Sequence, residues 1–130
     1  MKLSKPFLTI ACIFCLISCI GRDYVSNKVI SPSGKYYFIS TVNRSDNSKD
    51  DYADVIISLY SADEELISKV NTNAGDANSW AVGWENEKDI VILNSSDIGF
   101  RAWKFENNQF IEIELTADLI KQAEAIKQEK

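Results

Sequence analysis

The sequence predicts a mainly β domain of antiparallel strands, followed by one amphipathic α-helix at the C-terminus. Three observations predict it. Apolar residues repeat at period two in short runs, turn-rich polar segments separate those runs, and the spacing changes to that of a helix after Thr116. With 130 residues, the chain is long enough for a single small domain. We expect blade-like antiparallel meanders that form a small sandwich or a curved sheet.

The first half of the predicted β domain, residues 29–70, is built from two short runs and a hairpin. Its strands are predicted at residues 29–30, 35–42, 54–60 and 65–70. A polar loop, 43–51, contains no apolar residue and separates the second strand from the third. In the third strand Val55, Ile57 and Leu59 alternate onto one face, which predicts that this face is buried.

The second half, residues 80–115, follows a second polar loop, 71–79. Its strands are predicted at residues 80–84, 90–93, 100–105 and 110–115. Trp80, Val82 and Trp84 share one face of the first of these strands. The opposite face carries only Ala81 and Gly83, so a neighbouring backbone or a bulky side chain could approach closely there.

The end of the chain, residues 116–130, changes from strand to helix. In the preceding strand we expect Ile111, Ile113 and Leu115 to face the core. Earlier in this half, residues 90–93 are apolar on both faces, which indicates a central strand. Thr116 is a suitable N-cap. A helical apolar stripe follows it, formed by Leu119, Ile120, Ala123 and Ile126. This pattern predicts a short helix packed on the sheet, with docking on a partner as the alternative.

The two halves, 29–70 and 80–115, repeat one order of strand, Lys-bearing turn, apolar strand, polar loop and hairpin. The turn Ser31-Pro32-Ser33-Gly34-Lys35 resembles the Ser-Pro-Asp-Gly-Lys turn of β-propeller blades, and Ser95-Ser96-Asp97 leading to Arg101-Ala102-Trp103 resembles WD40-type blades. A propeller closes with roughly 4–8 blades, so two blade-like units would have to pack in another way. Any two β-meanders built from common turns would also look alike.

Residues 1–18 have the pattern of an export signal. Lys2 and Lys5 precede an apolar run that is shorter than the roughly 20 residues a membrane span needs. The run ends at Leu16-Ile17-Ser18-Cys19, which resembles the lipobox of bacterial lipoprotein signal peptides. That resemblance implies cleavage before Cys19, a lipid on its thiol and a lipid-anchored tether over residues 19–28. The alternative is a plain secretory signal that leaves Cys19 as a free thiol.

The resemblance also implies a location in the cell envelope. Ile20 stands where the sorting rule of the family reads Asp as a signal for inner-membrane retention, so in a Gram-negative host we expect the outer membrane, facing the periplasm. Removal of residues 1–18 takes two lysines and no acid, which leaves 12 basic and 19 acidic residues and a net charge of −7. This charge argues against nucleic acid and against electrostatic adhesion to anionic lipid, and it allows a basic protein partner.

Catalytic motifs are missing from the sequence. The chain has no His, and the mature part has no Ser-x-x-Lys, no Gly-x-Ser-x-Gly and no glycine-rich phosphate loop. Asp46-x-Ser48-x-Asp50 begins like a calcium loop, but Asp51 and Ile57 stand where Gly and Glu are required. We therefore expect no catalytic residue, no metal and no cofactor.

The best candidate for a binding surface is Trp80 together with the loop residues Asn94, Ser95, Ser96 and Asp97. Aromatic side chains beside polar loop groups suit the binding of a peptide or a glycan. The alternative places the neighbouring tryptophans in the core and lets Asp97 bond the amides of its own turn.

These observations favour a non-enzymatic, protein-binding lipoprotein of the cell envelope. One version is an immunity-type lipoprotein, which would neutralise an exported toxin. A carboxylate-dependent hydrolase of envelope glycans or peptides is one alternative, because 19 acids supply many carboxylate pairs. A structural accessory subunit of an envelope complex is another.

Overall fold

The computed structural model of the chain describes residues 23–43, 53–76 and 78–128. Two antiparallel sheets pack face to face, and one helix lies on the outer side of the second sheet. The predicted fold class, mainly β with a C-terminal helix, is confirmed. The signal segment 1–18, Cys19 and the calcium-like motif from Asp46 to Asp51 lie outside the described residues.

The first sheet, called sheet A, has five strands: β1 (Tyr24–Val25), β2 (Val29–Ile30), β3 (Tyr36–Val42), β4 (Asp54–Ser61) and β5 (Leu66–Gly75). Strands β1 and β2 lie one after the other along the same edge of β3, and β4 and β5 follow on its other side. All neighbouring strands are antiparallel, so sheet A is a meander in chain order.

The second sheet, called sheet B, has four strands: β6 (Trp80–Trp84), β7 (Ile90–Ser95), β8 (Gly99–Glu106) and β9 (Gln109–Ile113). They pair antiparallel in chain order, with β6 and β9 at the two edges. Strand β7 is buried on both faces, with Val91, Ile92 and Leu93 at most 1% exposed, as predicted for a central strand.

The main core lies between the two sheets. Val55, Ile57 and Leu59 of β4 are fully buried there, which confirms the alternation predicted for this strand. Trp80, Val82 and Trp84 of β6 also pack against this core. The buried residues of this core come from both sheets: Phe38, Val42, Val55, Ile57, Leu59, Ala74, Val91, Leu93 and Trp103. Hydrophobic burial between the sheets is therefore the main source of stability.

The helix, called α1 (Ala117–Gln128), covers the other face of sheet B. The Thr116 hydroxyl accepts a hydrogen bond from the backbone N–H of Leu119 at 3.2 Å, so the predicted N-cap is confirmed. Leu119 and Ala123 are buried against Ile92 and Ala102. Packing on its own sheet, the first of the two alternatives for this stripe, is thus what the structure shows.

Three predictions about individual strands need correction. Strand β1 forms inside the segment predicted as a tether. Strand β5 continues to Gly75 instead of ending at residue 70, because a bulge keeps the polar stretch in the sheet. At this bulge Asn73 has a φ of 64°, and the buried Thr72 hydroxyl donates to the Val55 carbonyl at 2.8 Å. Ile111 is 37% exposed, because α1 packs over β6, β7 and β8 and leaves β9 uncovered.

Within the described ranges, α1 falls short of the length and apolar character that a membrane-crossing helix needs.

Candidate functional site

Trp80 lies at one end of sheet B and contacts sheet A. Its ring packs edge-on against Tyr24, with the ring centroids 5.5 Å apart and the ring planes at 86°. Its indole N–H donates to the carboxylate of Asp76 at 3.0 Å. The indole therefore connects β6 to β1, and part of it stays accessible.

Two of the predicted site residues, Asn94 and Ser95, are buried. The Asn94 side-chain amide donates to the Ala123 carbonyl of α1 at 3.0 Å. The Ser95 hydroxyl accepts hydrogen bonds from the backbone N–H groups of Asp97 at 3.0 Å and Ile98 at 3.3 Å. These polar groups hold the helix and the β7–β8 turn in place, so they present no surface to a partner.

The other two loop residues, Ser96 and Asp97, are exposed beside Trp80. The Ser96 hydroxyl donates to the Ser79 carbonyl at 3.2 Å. One Asp97 carboxylate oxygen accepts the backbone N–H of Gly75 at 3.1 Å, which links the end of sheet A to the end of sheet B. The structure thus gathers Trp80, Ser96 and Asp97 at one end of the sandwich, and a binding role for these three stays a prediction.

The other two tryptophans are mainly structural. Trp103 is 3% exposed in the core between the sheets. Trp84 packs against Phe38, with ring centroids 5.5 Å apart, and its indole N–H donates to the Val29 carbonyl at 2.8 Å. This hydrogen bond brings the β2 edge of sheet A next to the β6 edge of sheet B.

Strand β6 has a neighbour on one side only in the described part of the chain, because it begins the strand order of sheet B. Two hydrogen bonds at the ends of the β6–β7 pair show which backbone groups the two strands share. The Ser96 N–H donates to the Ser79 carbonyl at 3.0 Å, and the Glu85 N–H donates to the Ile90 carbonyl at 2.8 Å. On the β6 side, the residues that make these bonds, Ser79 and Glu85, are both odd-numbered.

Antiparallel partners exchange hydrogen bonds at every second residue. Ala81 and Gly83 therefore bond β7, and the N–H and C=O groups of Val82 and Trp84 point away from it. A second strand could pair with these outward groups without breaking any bond inside sheet B.

The edge of β6 also lacks the features that usually prevent strand addition. Strands β1 and β2 have two residues each, β5 carries Lys69 and register shifts, and β9 carries Glu112. Strand β6 is five residues long and contains no charged residue and no proline. Of the sheet edges in the described ranges, it is the one best suited to pair with another chain.

Two clefts open along β6. One, of about 430 Å³, lies between the strand and α1 and is lined by Val29, Val82, Gly83, Trp84, Asn86, Gln122, Ala125 and Ile126. The other, of about 220 Å³, lies between the sheet edges and is lined by Tyr24, Ser26, Asn27, Val29, Phe38, Ser40, Trp80 and Val82. Among the described residues, no charged side chain lines either cleft, so both suit apolar or neutral polar groups.

The ion pair of Arg101 and Glu112 lies on the opposite side of the sandwich from β6. The Arg101 Nε donates to Glu112 at 2.9 Å, and its Nη1 donates to the Thr72 carbonyl of β5 at 2.9 Å. The hydrogen bond from Arg101 lowers the pKa of the Glu112 carboxyl, and the same bond raises the pKa of Arg101. A lowered pKa keeps Glu112 ionised at neutral pH, which suits an ion pair and does not suit a general acid.

In the ranges that the structure describes, no group of three or more Cys, Asp or Glu side chains is placed to hold a metal ion. The outward backbone groups of Val82 and Trp84 were not predicted as site residues. A signal for them exists in the sequence, because residues 80–84 contain no charged residue and form the first strand of the second half, whereas the other uncharged strand, 90–93, lies inside it.

Comparison of the chain with protein-family models, with curated proteins and with solved structures finds no match.

Proposed function

We propose that the protein is a lipid-anchored, non-enzymatic binding module of the cell envelope that holds an extended segment of a protein partner along β6. The observation that carries the proposal is the open, uncharged edge of β6 between two clefts. Strand addition to an open sheet edge is a common mode of peptide recognition.

The geometry of β6 suggests how such a segment would bind. Its backbone would pair with the outward N–H and C=O groups of Val82 and Trp84. Alternate side chains of an added strand point to opposite faces of the sheet. One set would enter the cleft beside Gly83 and Ile126, and the other set would enter the cleft beside Phe38.

The clefts and the charge of the domain indicate the chemistry of the partner. The segment itself should alternate apolar or small neutral residues, because both clefts have neutral linings. The mature chain carries a net charge of −7, which favours association with a partner that is basic outside this segment. An exported toxin neutralised by an immunity-type lipoprotein is one such partner.

The anchor in this proposal is Cys19. The lipobox-like Leu16-Ile17-Ser18-Cys19 supports acylation at this thiol, and Ile20 supports sorting to the outer membrane, facing the periplasm. Several acyl chains would hold the domain stably, since a single chain binds only marginally.

The test is capture of the partner by the mature domain, with the β6 edge altered. Val82→Pro removes the outward N–H and leaves the bonds of Ala81 and Gly83 to β7 in place, so the fold should survive. Val82→Ala trims the side chain and keeps the N–H. We expect the partner, identified by mass spectrometry from an envelope extract, to bind Val82→Pro about tenfold more weakly or worse, which corresponds to about 1.4 kcal/mol.

Controls separate recognition from folding. The denaturation midpoint of each variant should show that the domain is still folded, and Val82→Ala should capture the same partner nearly as well as the unaltered domain. Equal capture by Val82→Pro would contradict recognition along β6. Release of soluble products from purified cell wall would instead favour the hydrolase alternative.

A further inference from the structure

The outer face of sheet A, which points away from sheet B, carries several exposed apolar side chains. Its position follows from alternation: Val55, Ile57 and Leu59 face the core, so Ile56, Ser58 and Tyr60 face outward. Through the strand register, this face also contains Val25, Ile30, Tyr37, Ile39, Thr41 and Leu66, together with the polar residues Lys69 and Asn71 of β5.

Three of the five exposed large hydrophobic residues in the described ranges lie on this face. Ile30 is 67% exposed, Val25 is 64% exposed and Leu66 is 51% exposed. Tyr37 and Tyr60 stack beside them, with ring centroids 5.1 Å apart. Helix α1 lies on sheet B, so no helix of the described ranges covers this face, although Tyr37 and Ser58 within it are buried. An exposed cluster of this kind usually marks an interaction surface.

The length of the tether indicates what covers this face. Cys19 precedes Tyr24 by five residues, and an extended chain spans at most about 3.6 Å per residue, so β1 begins within about 18 Å of the acylated thiol. Val25 is the next residue, and Ile30 lies on the same edge of β3. The two most exposed apolar side chains are thus held close to the bilayer surface by the anchor.

We infer that the outer face of sheet A rests on the membrane surface, with Val25 and Ile30 inserted among the lipid headgroups. The inference rests on the proposed lipid anchor at Cys19. The tether keeps the face at a high effective concentration near the bilayer, so weak contacts suffice to orient the domain. Tyr60 and Lys28 suit the membrane interface because each joins an apolar body to a polar end. The Nζ of Lys28 lies 4.8 Å from the centroid of the Tyr37 ring.

This contact should depend on apolar insertion and little on charge. The mature chain is acidic, with a net charge of −7, and Lys28 already pairs with Glu64 at 3.4 Å. Raising the salt concentration should therefore leave the contact unchanged, whereas an electrostatic attachment would weaken. In this orientation sheet B and α1 face away from the bilayer, and the β6 edge lies at the side, open to a partner.

The test uses the full chain, processed in bacteria and reconstituted in vesicles of phosphatidylethanolamine and phosphatidylglycerol. The acylated Cys19 has no free thiol and the rest of the mature chain has no cysteine, so one introduced cysteine can carry a fluorophore sensitive to its surroundings. Ile30→Cys places the probe on the outer face of sheet A. Glu124→Cys places it on the exposed side of α1 as the matched control. Spin-labelled lipids quench probes that touch the bilayer.

We expect quenching at Ile30→Cys to be several-fold stronger than at Glu124→Cys and to persist at high salt. Adding Val25→Asp should abolish the difference, and adding Ile111→Asp, on the uncovered face of β9, should not. Equal quenching at both probes would overturn the inference, as would quenching that salt removes. Shielding of Ile30→Cys only after addition of envelope extract would overturn it in favour of a protein partner.

Mass spectrometry of the same preparation keeps the two proposals apart. An acylated Cys19 with no quenching difference refutes the membrane-facing orientation and leaves the anchor intact. An unmodified Cys19 refutes the anchor, and the orientation falls with it.

Discussion

Gly83 lies directly against Ile126 of α1. A Cβ atom built on Gly83 would lie 2.9 Å from the Cδ1 of Ile126, closer than real Cβ contacts allow. That atom is the end of a flexible side chain, so a single methyl group can be accommodated by rotation. A branched side chain would meet the Cγ1 of Ile126 as well, which a Cβ already approaches to 3.3 Å.

We therefore predict that Gly83→Val destabilises the domain by about 1–3 kcal/mol through overpacking, and that Gly83→Ala costs much less. Chemical denaturation of both variants measures the difference. Ile126→Ala in the Gly83→Val background should recover part of the lost stability, because it removes the clashing atoms. If the double variant is no more stable than Gly83→Val, the crowding lies elsewhere.

Single residues also show where sequence reasoning about the site stops. The polarity of Asn94 and Ser95 is visible in the sequence and looks like a binding loop. The partner of Asn94, the carbonyl of Ala123, lies 29 residues later and is brought close only by the packing of the helix. The partners of Ser95 are the amides of the turn that follows it, so its bonds are local. Asp97 is similar to Asn94, because its partner Gly75 belongs to the other sheet.

At the scale of elements, strands with clean alternation could be predicted and strands held by polar groups could not. Val55, Ile57 and Leu59 identify β4 because burial on one face requires apolar residues at period two. The last part of β5 contains Asn71, Thr72 and Asn73, so it reads as a loop. It stays in the sheet because the Thr72 hydroxyl replaces a ladder contact with Val55.

The edge position of β6 could be predicted only in part. A meander in chain order places its first strand at an edge, and the repeat of two halves indicates that 80–84 opens the second meander. Whether that edge stays open depends on where β1, β2 and α1 pack, and no local pattern in residues 80–84 contains this information. Candidate recognition groups in the backbone are therefore harder to find than side chains.

Arg101 fastens three strands at the edge opposite β6, and this contact predicts a pH dependence. Glu112 has a pKa below its ordinary value of 4.5 because of the hydrogen bond from Arg101, so its contribution to stability is complete above about pH 4.5 and is lost as the pH falls through the lowered pKa. The side chains are partly exposed, which limits the contribution to about 1 kcal/mol or less.

Glu112→Gln should accordingly lower the free energy of unfolding at neutral pH and converge with the unaltered domain in acid. Urea denaturation at a series of pH values provides the measurement. Glu106→Gln is the matched control, because Glu106 makes a longer, exposed pair with Lys104 at 3.5 Å. A constant gap between Glu112→Gln and the unaltered domain at all pH values would contradict the role assigned to this carboxylate.

At the scale of the whole molecule, the two meanders meet through their equivalent turns. The turn after β2 and the turn after β6 contact each other, with the Ser33 hydroxyl donating to Asp89 at 2.6 Å. At the other end, Asp97 bonds Gly75. One crossing of the chain, from β5 to β6, joins the sheets covalently, and these two polar contacts close the ends around the apolar core. The resemblance of each half to a propeller blade stays a prediction.

The proposed lipid anchor at Cys19 predicts how the protein is processed in the cell. Cys19→Ala should block both lipid attachment and cleavage, so the protein should carry no acyl chain and should retain residues 1–18. Fractionation followed by intact-mass measurement reads both effects. Cys15→Ala is the matched control and should leave both unchanged, because Cys15 lies within the segment that is removed. A Cys19→Ala protein that still loses residues 1–18 and still carries lipid would contradict the lipobox assignment.

The two-residue strand β1 has a mechanical consequence. Any pull on the proposed lipid tether would load β1 first, and the short ladder of β1 with β3 would open one hydrogen bond after another. Freeing residues 24–30 would lengthen the leash by about 23 Å at about 3.3 Å per residue, with β3 to β9 still folded. Val29 lines both clefts along β6, and its carbonyl accepts the Trp84 indole N–H. The same pull would therefore displace one wall of each cleft. In the proposed complex, tension between the membrane and the partner would thus increase the distance between the domain and the membrane and lower the affinity for the partner.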